Sequence, residues 1–180
     1  MAETIALEIV TPDGLKLREA VSELTAPSVD GEFGVLPQHR PLLAALQTGI
    51  VTYVQNGKSH AVAVGPGYVE VAGDRALVLT DRFIRKADVD PVRTRLELKE
   101  ADEQLDHYKG EPSDPAYADL VERELWAAAQ LELYGDPPPP RVRSIDAMAL
   151  KGHESYARPI SSSDGDGDGS APPSPGADQH

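Results

Sequence analysis

The dipeptide Asn56-Gly57, set between two strand-length runs, restricts the fold of this chain more than any other feature. Both residues accept positive φ, so the pair suits a two-residue type I′ hairpin joining residues 49–55 to 59–64. The same pattern recurs on either side. Residues 68–72 and 76–80 flank Gly73-Asp74 in like manner, and Ile5, Leu7 and Ile9 alternate with Ala6 and Glu8 before the turn signal Pro12-Asp13-Gly14. Val21, Leu24 and Ala26 lead into residues 31–42, where two glycines, two prolines, a carboxylate and a histidine predict a shaped loop rather than a regular element. Many short strands with no long helical pattern between them predict a small β-sandwich or barrel over residues 1–86.

Near residue 86 the hydrophobic period changes. Asp90-Pro91 reads as a helix N-cap followed by proline in the first helical position, Leu98, Ala101, Leu105 and Tyr108 recur at helical spacing, and Gly110 closes the segment. Asp114-Pro115 repeats the start and Gly135 the stop. In this second helix Tyr117, Val121, Leu125 and Ala128 form a stripe that Leu120, Ala127, Leu131 and Tyr134 broaden. The short link predicts an antiparallel helical hairpin over residues 87–135. A lone hairpin buries little, so it must lean on the sandwich or insert elsewhere. Residues 136–180 open on Pro137 to Pro140 and end in Asp-Gly, Ser and Pro repeats, a composition predicting a mostly disordered extension. Within it, residues 142–150 read as a short docking segment. The fold class is α+β.

Charge narrows the function. The chain of 180 residues carries a net charge of -13, which argues against nucleic acid and anionic lipid as partners. The hairpin region is the most acidic, with five Lys/Arg against thirteen Asp/Glu. No run approaches the length of a membrane span, and the N-terminus lacks the basic start and apolar run of a signal peptide. The expectation is a cytosol-facing protein that meets a membrane only through other proteins. There is no cysteine, which excludes disulfides, thiolate metal sites and cysteine nucleophiles.

Candidate chemistry is sparse. Residues 164–169 match the opening of a calcium loop, but Pro175 stands where a bidentate glutamate is needed. His39, His60, His107, His153 and His180 show no i, i+4 pairing of a helical zinc site. Glu100 and Glu103 read as a solvated helix face. No nucleophile and base can be paired and no phosphate loop is present. A free-standing binding module and a small hydrolase are the rival classes, the second disfavoured on these grounds.

Residues 31–42 read Gly31-Glu32-Phe33-Gly34-Val35-Leu36-Pro37-Gln38-His39-Arg40-Pro41-Leu42, and this stretch resembles the signature of the epsilon subunit of F-type ATP synthases, the rotary enzymes of bacteria and chloroplasts. Further matches follow in order at Thr48-Gly49-Ile50-Val51, Gly67-Tyr68-Val69-Glu70-Val71, Val78-Leu79-Thr80-Asp81 and Ala87-Asp88-Val89-Asp90. The resemblance implies a β-sandwich followed by a helical hairpin, in a non-catalytic part of the central stalk. It also implies contact with the gamma subunit and the c-ring, on the cytoplasmic face of a bacterial inner membrane. Gly31, Glu32 and His39 fall in the family's loop that faces the c-ring. The family's hairpin either folds against the sandwich or extends into the alpha/beta catalytic head and blocks hydrolysis. Here the second helix carries Asp119, Glu122, Glu124 and Glu132 against Arg123, so weak inhibition is expected unless residues 142–150, with Arg141, Arg143 and Lys151, supply the contact. Some family members bind ATP through a pattern like Ile/Leu-Asp-x-x-Arg-Ala. In Val89-Asp90-Pro91-Val92-Arg93-Thr94 the aspartate and arginine are kept and both ends depart, while the acids that follow oppose a triphosphate. ATP at Asp90 and Arg93 is therefore the disfavoured reading, and no cofactor and no metal are expected.

Overall fold

Strand alternation in the first half of the chain produces ten strands: β1 (Ile5–Thr11), β2 (Gly14–Val21), β3 (Glu23–Ser28), β4 (Gly31–Val35), β5 (Leu42–Leu46), β6 (Gly49–Gln55), β7 (Lys58–Val64), β8 (Gly67–Ala72), β9 (Arg75–Thr80) and β10 (Phe83–Arg85). Two helices follow, α1 (Pro91–Asp106) and α2 (Pro115–Tyr134). The structure, a computed structural model, describes residues 3–139. The docking segment at 142–150 and the Asp-Gly repeat at 164–169 lie outside the described residues.

The strands pair in the order β10-β7-β6-β3-β5-β8-β9-β1-β2, with β4 on the other edge of β3. Only one residue pair, Ser28 with Leu46, joins β3 to β5, and the ladder folds over at that corner. A first sheet, β10-β7-β6-β3-β4, thus faces a second, β5-β8-β9-β1-β2. Ile5, Leu7, Ile9, Leu24, Val51, Val69 and Val78 fill the space between them, each at 1% exposure or less. Each such side chain contributes about 1.5–3 kcal/mol on burial.

Turn chemistry follows the residues. Asn56 and Gly57 have φ of 51° and 74°, the type I′ arrangement, and Gln55 pairs with Lys58 across them. The Gly73-Asp74 turn is different from that expectation. Gly73 has φ 57° and Asp74 stays at negative φ, the pattern of a II′ turn, while the Asp74 carbonyl accepts the Ala6 N–H at 2.8 Å.

Residues 31–42 are not one loop. Gly31–Val35 form β4, paired with β3 from Ser28 opposite Gly31 to Leu24 opposite Val35. The alternation of Phe33 and Val35 outweighs the glycines and turns both side chains inward onto the core. Gly31, at φ 116°, takes up the turn. The remainder contains a type II turn, Leu36-Pro37-Gln38-His39, with φ 63° at Gln38 and the His39 N–H donating to the Leu36 carbonyl at 3.1 Å.

Helix ends also separate into kept and altered. Asp90 caps α1, its Oδ1 accepting the Val92 and Arg93 N–H groups at 3.1 Å. Yet α1 ends at Asp106, short of Gly110, with the chain leaving at His107 as the His107 ring meets the Glu103 carbonyl. Asp114 does not cap α2 with its side chain. Its carboxylate instead accepts Tyr108 Oη at 3.1 Å and the Glu111 N–H at 2.9 Å, which closes the link. Gly135, at φ 105°, ends α2 as expected.

The stripe on α2 differs most. Val121, Ala127 and Leu131 are buried, but Tyr134 is exposed, and Ala129 and Leu133 are buried in its place. The cause is that α2 has two neighbours. One face meets α1, and a second, with Trp126, Ala129 and Leu133, packs on Ile50, Ala63, Ile84 and Val89. Those residues lie on the outer side of the first sheet, so the hairpin is folded down against the sandwich.

Candidate functional site

The two outer faces of the sandwich have different fates. That of the first sheet is covered by α2, with Thr48 Oγ1 donating to Glu122 Oε2 at 2.7 Å and the Arg82 guanidinium 5.9 Å from the Trp126 ring centroid. No other described residues cover that of the second sheet. Register places Ala45 opposite Tyr68, Tyr68 opposite Leu79, Leu79 beside Val10, and Val10 opposite Leu15. These side chains form one apolar row across all five strands. Tyr68 is 58% exposed, Leu79 44% and Leu15 49%, with Leu43 of the next row at 70%.

A bulge completes the row. The β1–β2 register shifts between Ile9 and Val10, so Ile9 faces Leu17 and Val10 faces Leu15. Strict alternation would send Leu15 inward with Leu17, and the extra residue turns it out. The row ends at a depression of about 430 Å³ bordered by Val10, Pro12, Pro66, Gly67 and Leu79.

Beside the row, Glu8 lies between two guanidiniums, Arg18 Nε at 2.8 Å and Arg75 Nη2 at 2.5 Å. The hydrogen bond from Arg75, with the charges of both arginines, holds the Glu8 carboxyl below the usual carboxylate range against the opposing effect of partial burial. A carboxylate with a lowered folded pKa stabilises the fold above its ordinary value of 4.5, and that contribution is lost as pH falls through the folded value. Glu8→Gln is therefore expected to lower the melting temperature at pH 7, with the gap to the parent closing below pH 4.5. A gap unchanged down to pH 3 in thermal scans would contradict this.

The residues singled out in the sequence are placed apart. Gly31 and Glu32 stand at the β3–β4 turn, with Glu32 exposed. His39 is half-buried beyond the opposite end of β4, its Nδ1 2.7 Å from the Arg40 carbonyl oxygen. From Glu32 to Val35 alone the strand advances about 10 Å, and Gln38 next to His39 is tied to the Glu3 carboxylate at 2.9 Å. Asp90 and Arg93 are neighbours, but Asp90 caps the helix and Arg93 Nε binds Glu97 Oε1 at 2.8 Å. Among the described residues no group of three His, Asp or Glu is placed to hold a metal, and no helix is long and apolar enough to cross a membrane.

The bare row escaped the sequence reading. Its available sign was Ala76-Leu77-Val78-Leu79, a continuous apolar run where alternation belongs, which marks a strand with both faces to cover.

Residues 4–86 match the family described as ATP synthase, Delta/Epsilon chain, beta-sandwich domain. The chain is 43% identical over 109 residues to the ATP synthase epsilon chain of Nitratidesulfovibrio vulgaris (strain DP4), covering 61% of this chain and 81% of that one. It is 39% identical over 105 residues to the ATP synthase epsilon chain of Carboxydothermus hydrogenoformans, covering 58% and 78%. In fold it is similar to a chain of the Euglena gracilis mitochondrial ATP synthase OSCP/F1/c-ring cryo-EM structure, with a TM-score of 0.56 at 21% identity over 74% of this chain and 79% of that chain.

Proposed function

The chain belongs to the ATP synthase epsilon chain family, and from that premise we propose that it works without chemistry of its own, as the part of the central stalk that links c-ring rotation to the catalytic head. The observation carrying this reading is the bare row of Ala45, Tyr68, Leu79, Val10 and Leu15. An ordered apolar face of this kind asks for a protein partner, and a stalk position supplies the gamma subunit. The depression at its end suits one inserted side chain of that partner. Glu32 and His39 belong to the reading as c-ring contacts, made through two separate patches at the two ends of β4. Held by these contacts, the subunit sits peripherally on the cytoplasmic face of a bacterial inner membrane.

The folded-down hairpin is the regulatory element of this reading, and it reaches the alpha/beta head only after leaving the first sheet. Its acidic surface disfavours inhibition by α2 itself. ATP is assigned no role here, because Asp90 and Arg93 are engaged within α1. Calorimetric titration with magnesium-ATP to millimolar concentration is expected to give no saturable heat, and a saturable isotherm would restore the nucleotide reading. The function itself is tested by co-purification. Tagged chain is expected to retain gamma and the c-ring, whereas recovery as a lone monomer from cells making the whole complex would overturn the proposal.

A further inference from the structure

The link between the two helices is knotted around one carboxylate. Asp114 Oδ2 accepts Tyr108 Oη at 3.1 Å and the Glu111 N–H at 2.9 Å, while the Asp114 N–H donates back to the Glu111 carbonyl at 2.9 Å. The Asp114 carbonyl accepts the Tyr117 and Ala118 N–H groups, so the residue that gathers the link also starts α2. Tyr108 and Tyr117, one from each side of the link, form a tilted aromatic pair with ring centroids 5.3 Å apart. Gly110 fits because it has no side chain. A Cβ there would stand 2.8 Å from Tyr108 Cε1 and Oη, and closer still to the Asp114 carboxylate. Partial burial, with the hydrogen bond and charge of Asp114, holds the Tyr108 phenol above its ordinary value of 10.0, so the donor keeps its proton at neutral pH.

Two motions of the hairpin break different contacts. Parting α1 from α2 requires new backbone angles within residues 107–114, and it breaks the bonds at Asp114 and the pairing of the two rings. Lifting the whole hairpin off the first sheet breaks the packing of Trp126, Ala129 and Leu133 on Ile50, Ala63, Ile84 and Val89 and leaves the link intact. We propose that the link is a lock: the hairpin leaves the sandwich as a closed pair, and α2 does not extend by itself. This rests on the hairpin being the mobile element. A closed pair offers a partner the outer surfaces of both helices and keeps the stripe of Leu98, Ala101 and Leu105 shut inside. A site in the head that admits a single helix, about 10–12 Å across, would exclude it until the link opens.

The absence of cysteine allows a single thiol to be placed anywhere in the full chain. Ala101 is 0% exposed where α1 packs on α2, and Ala129 is 5% exposed against the sandwich. Ala101→Cys therefore reacts with dithiobis-nitrobenzoate when the pair opens, and Ala129→Cys when the hairpin lifts. Ala76→Cys, from a position 0% exposed in the sandwich core, reports global unfolding. Where closing is fast, each rate follows the open population. Asp114→Ala is expected to speed labelling at position 101 about tenfold and Tyr108→Phe about threefold, as befits lost hydrogen bonds to a charged group, with positions 129 and 76 unchanged. Leu133→Ala is expected to speed labelling at position 129 about 100-fold and to leave position 101 unchanged. Position 101 reacting as fast as position 129 in Leu133→Ala, or unmoved by Asp114→Ala, overturns the lock. If position 76 also accelerates in Asp114→Ala, Tyr108→Phe decides instead. A position 129 that stays slow in Leu133→Ala refutes the mobile hairpin, and the lock is still decided at position 101 by the substitutions in the link.

Discussion

Leu79→Asp should abolish retention of the gamma subunit while leaving the isolated chain folded. Leu79 sits in the middle of the bare row, 44% exposed, flanked by Tyr68 on β8 and Val10 on β1. In the free protein an aspartate there is solvated, and its cost is the loss of strand propensity, within about 1 kcal/mol. In a packed interface the same carboxylate is buried without a partner, and the penalty is about 3 kcal/mol or more, which is on the order of 100-fold in affinity. Leu79→Thr introduces a β-branched residue suited to a strand, without the charge, and should weaken binding far less. Co-purification with gamma, read beside thermal melts of both variants, separates these cases. Full retention of gamma by Leu79→Asp would remove the bare face from the stalk interface, and a collapsed melt would mean that Leu79 serves the fold.

Leu133→Ala should release the hairpin and spare the sandwich. Leu133 is 6% exposed and packs with Ala63, Val89 and Ala129, supported by Ile50, Ile84 and Trp126. Truncating a buried leucine to alanine costs about 3 kcal/mol, from lost transfer free energy and the cavity left behind. That is a large part of what a contact of this size provides. The polar contacts that remain, Thr48 to Glu122 and Arg82 over Trp126, are partly exposed and cannot replace it. Hydrogen exchange should therefore accelerate by about 100-fold in α2, with protection in β1, β8 and β9 unchanged. Equal loss of protection in the strands would show that hairpin and sandwich open as one unit, and the hairpin could not then move as a separate element.

Both variants probe features that a single sequence displays poorly. The inward-facing set Ile5, Leu7 and Ile9, the Asn56-Gly57 hairpin, the Asp90 cap and the Gly135 stop were legible because each depends on residues within a few positions of one another. So was the family, since the ordered signature around residues 31–42 is itself a local string. That same string misled on structure. Its glycines and prolines suggested one loop, while Phe33 and Val35 had a core to fill and drew Gly31–Val35 into a strand. Glu32 and His39, close in sequence, consequently stand at opposite ends of β4.

The sequence by itself determined the α+β division near residue 86, the strand-rich first half and the two antiparallel helices, because backbone φ preference and hydrophobic period act over one or two turns of chain. Tertiary structure alone decided which outer face of the sandwich α2 would cover and which would stay bare. Either sheet offers apolar residues outward, and the choice rests on contacts such as Leu133 with Ala63, far apart in sequence. It also decided that Leu15 faces out, since the bulge opposite Ile9 and Val10 exists only once β1 and β2 are paired. Residues that looked like ordinary strand positions thereby became the surface offered to a partner.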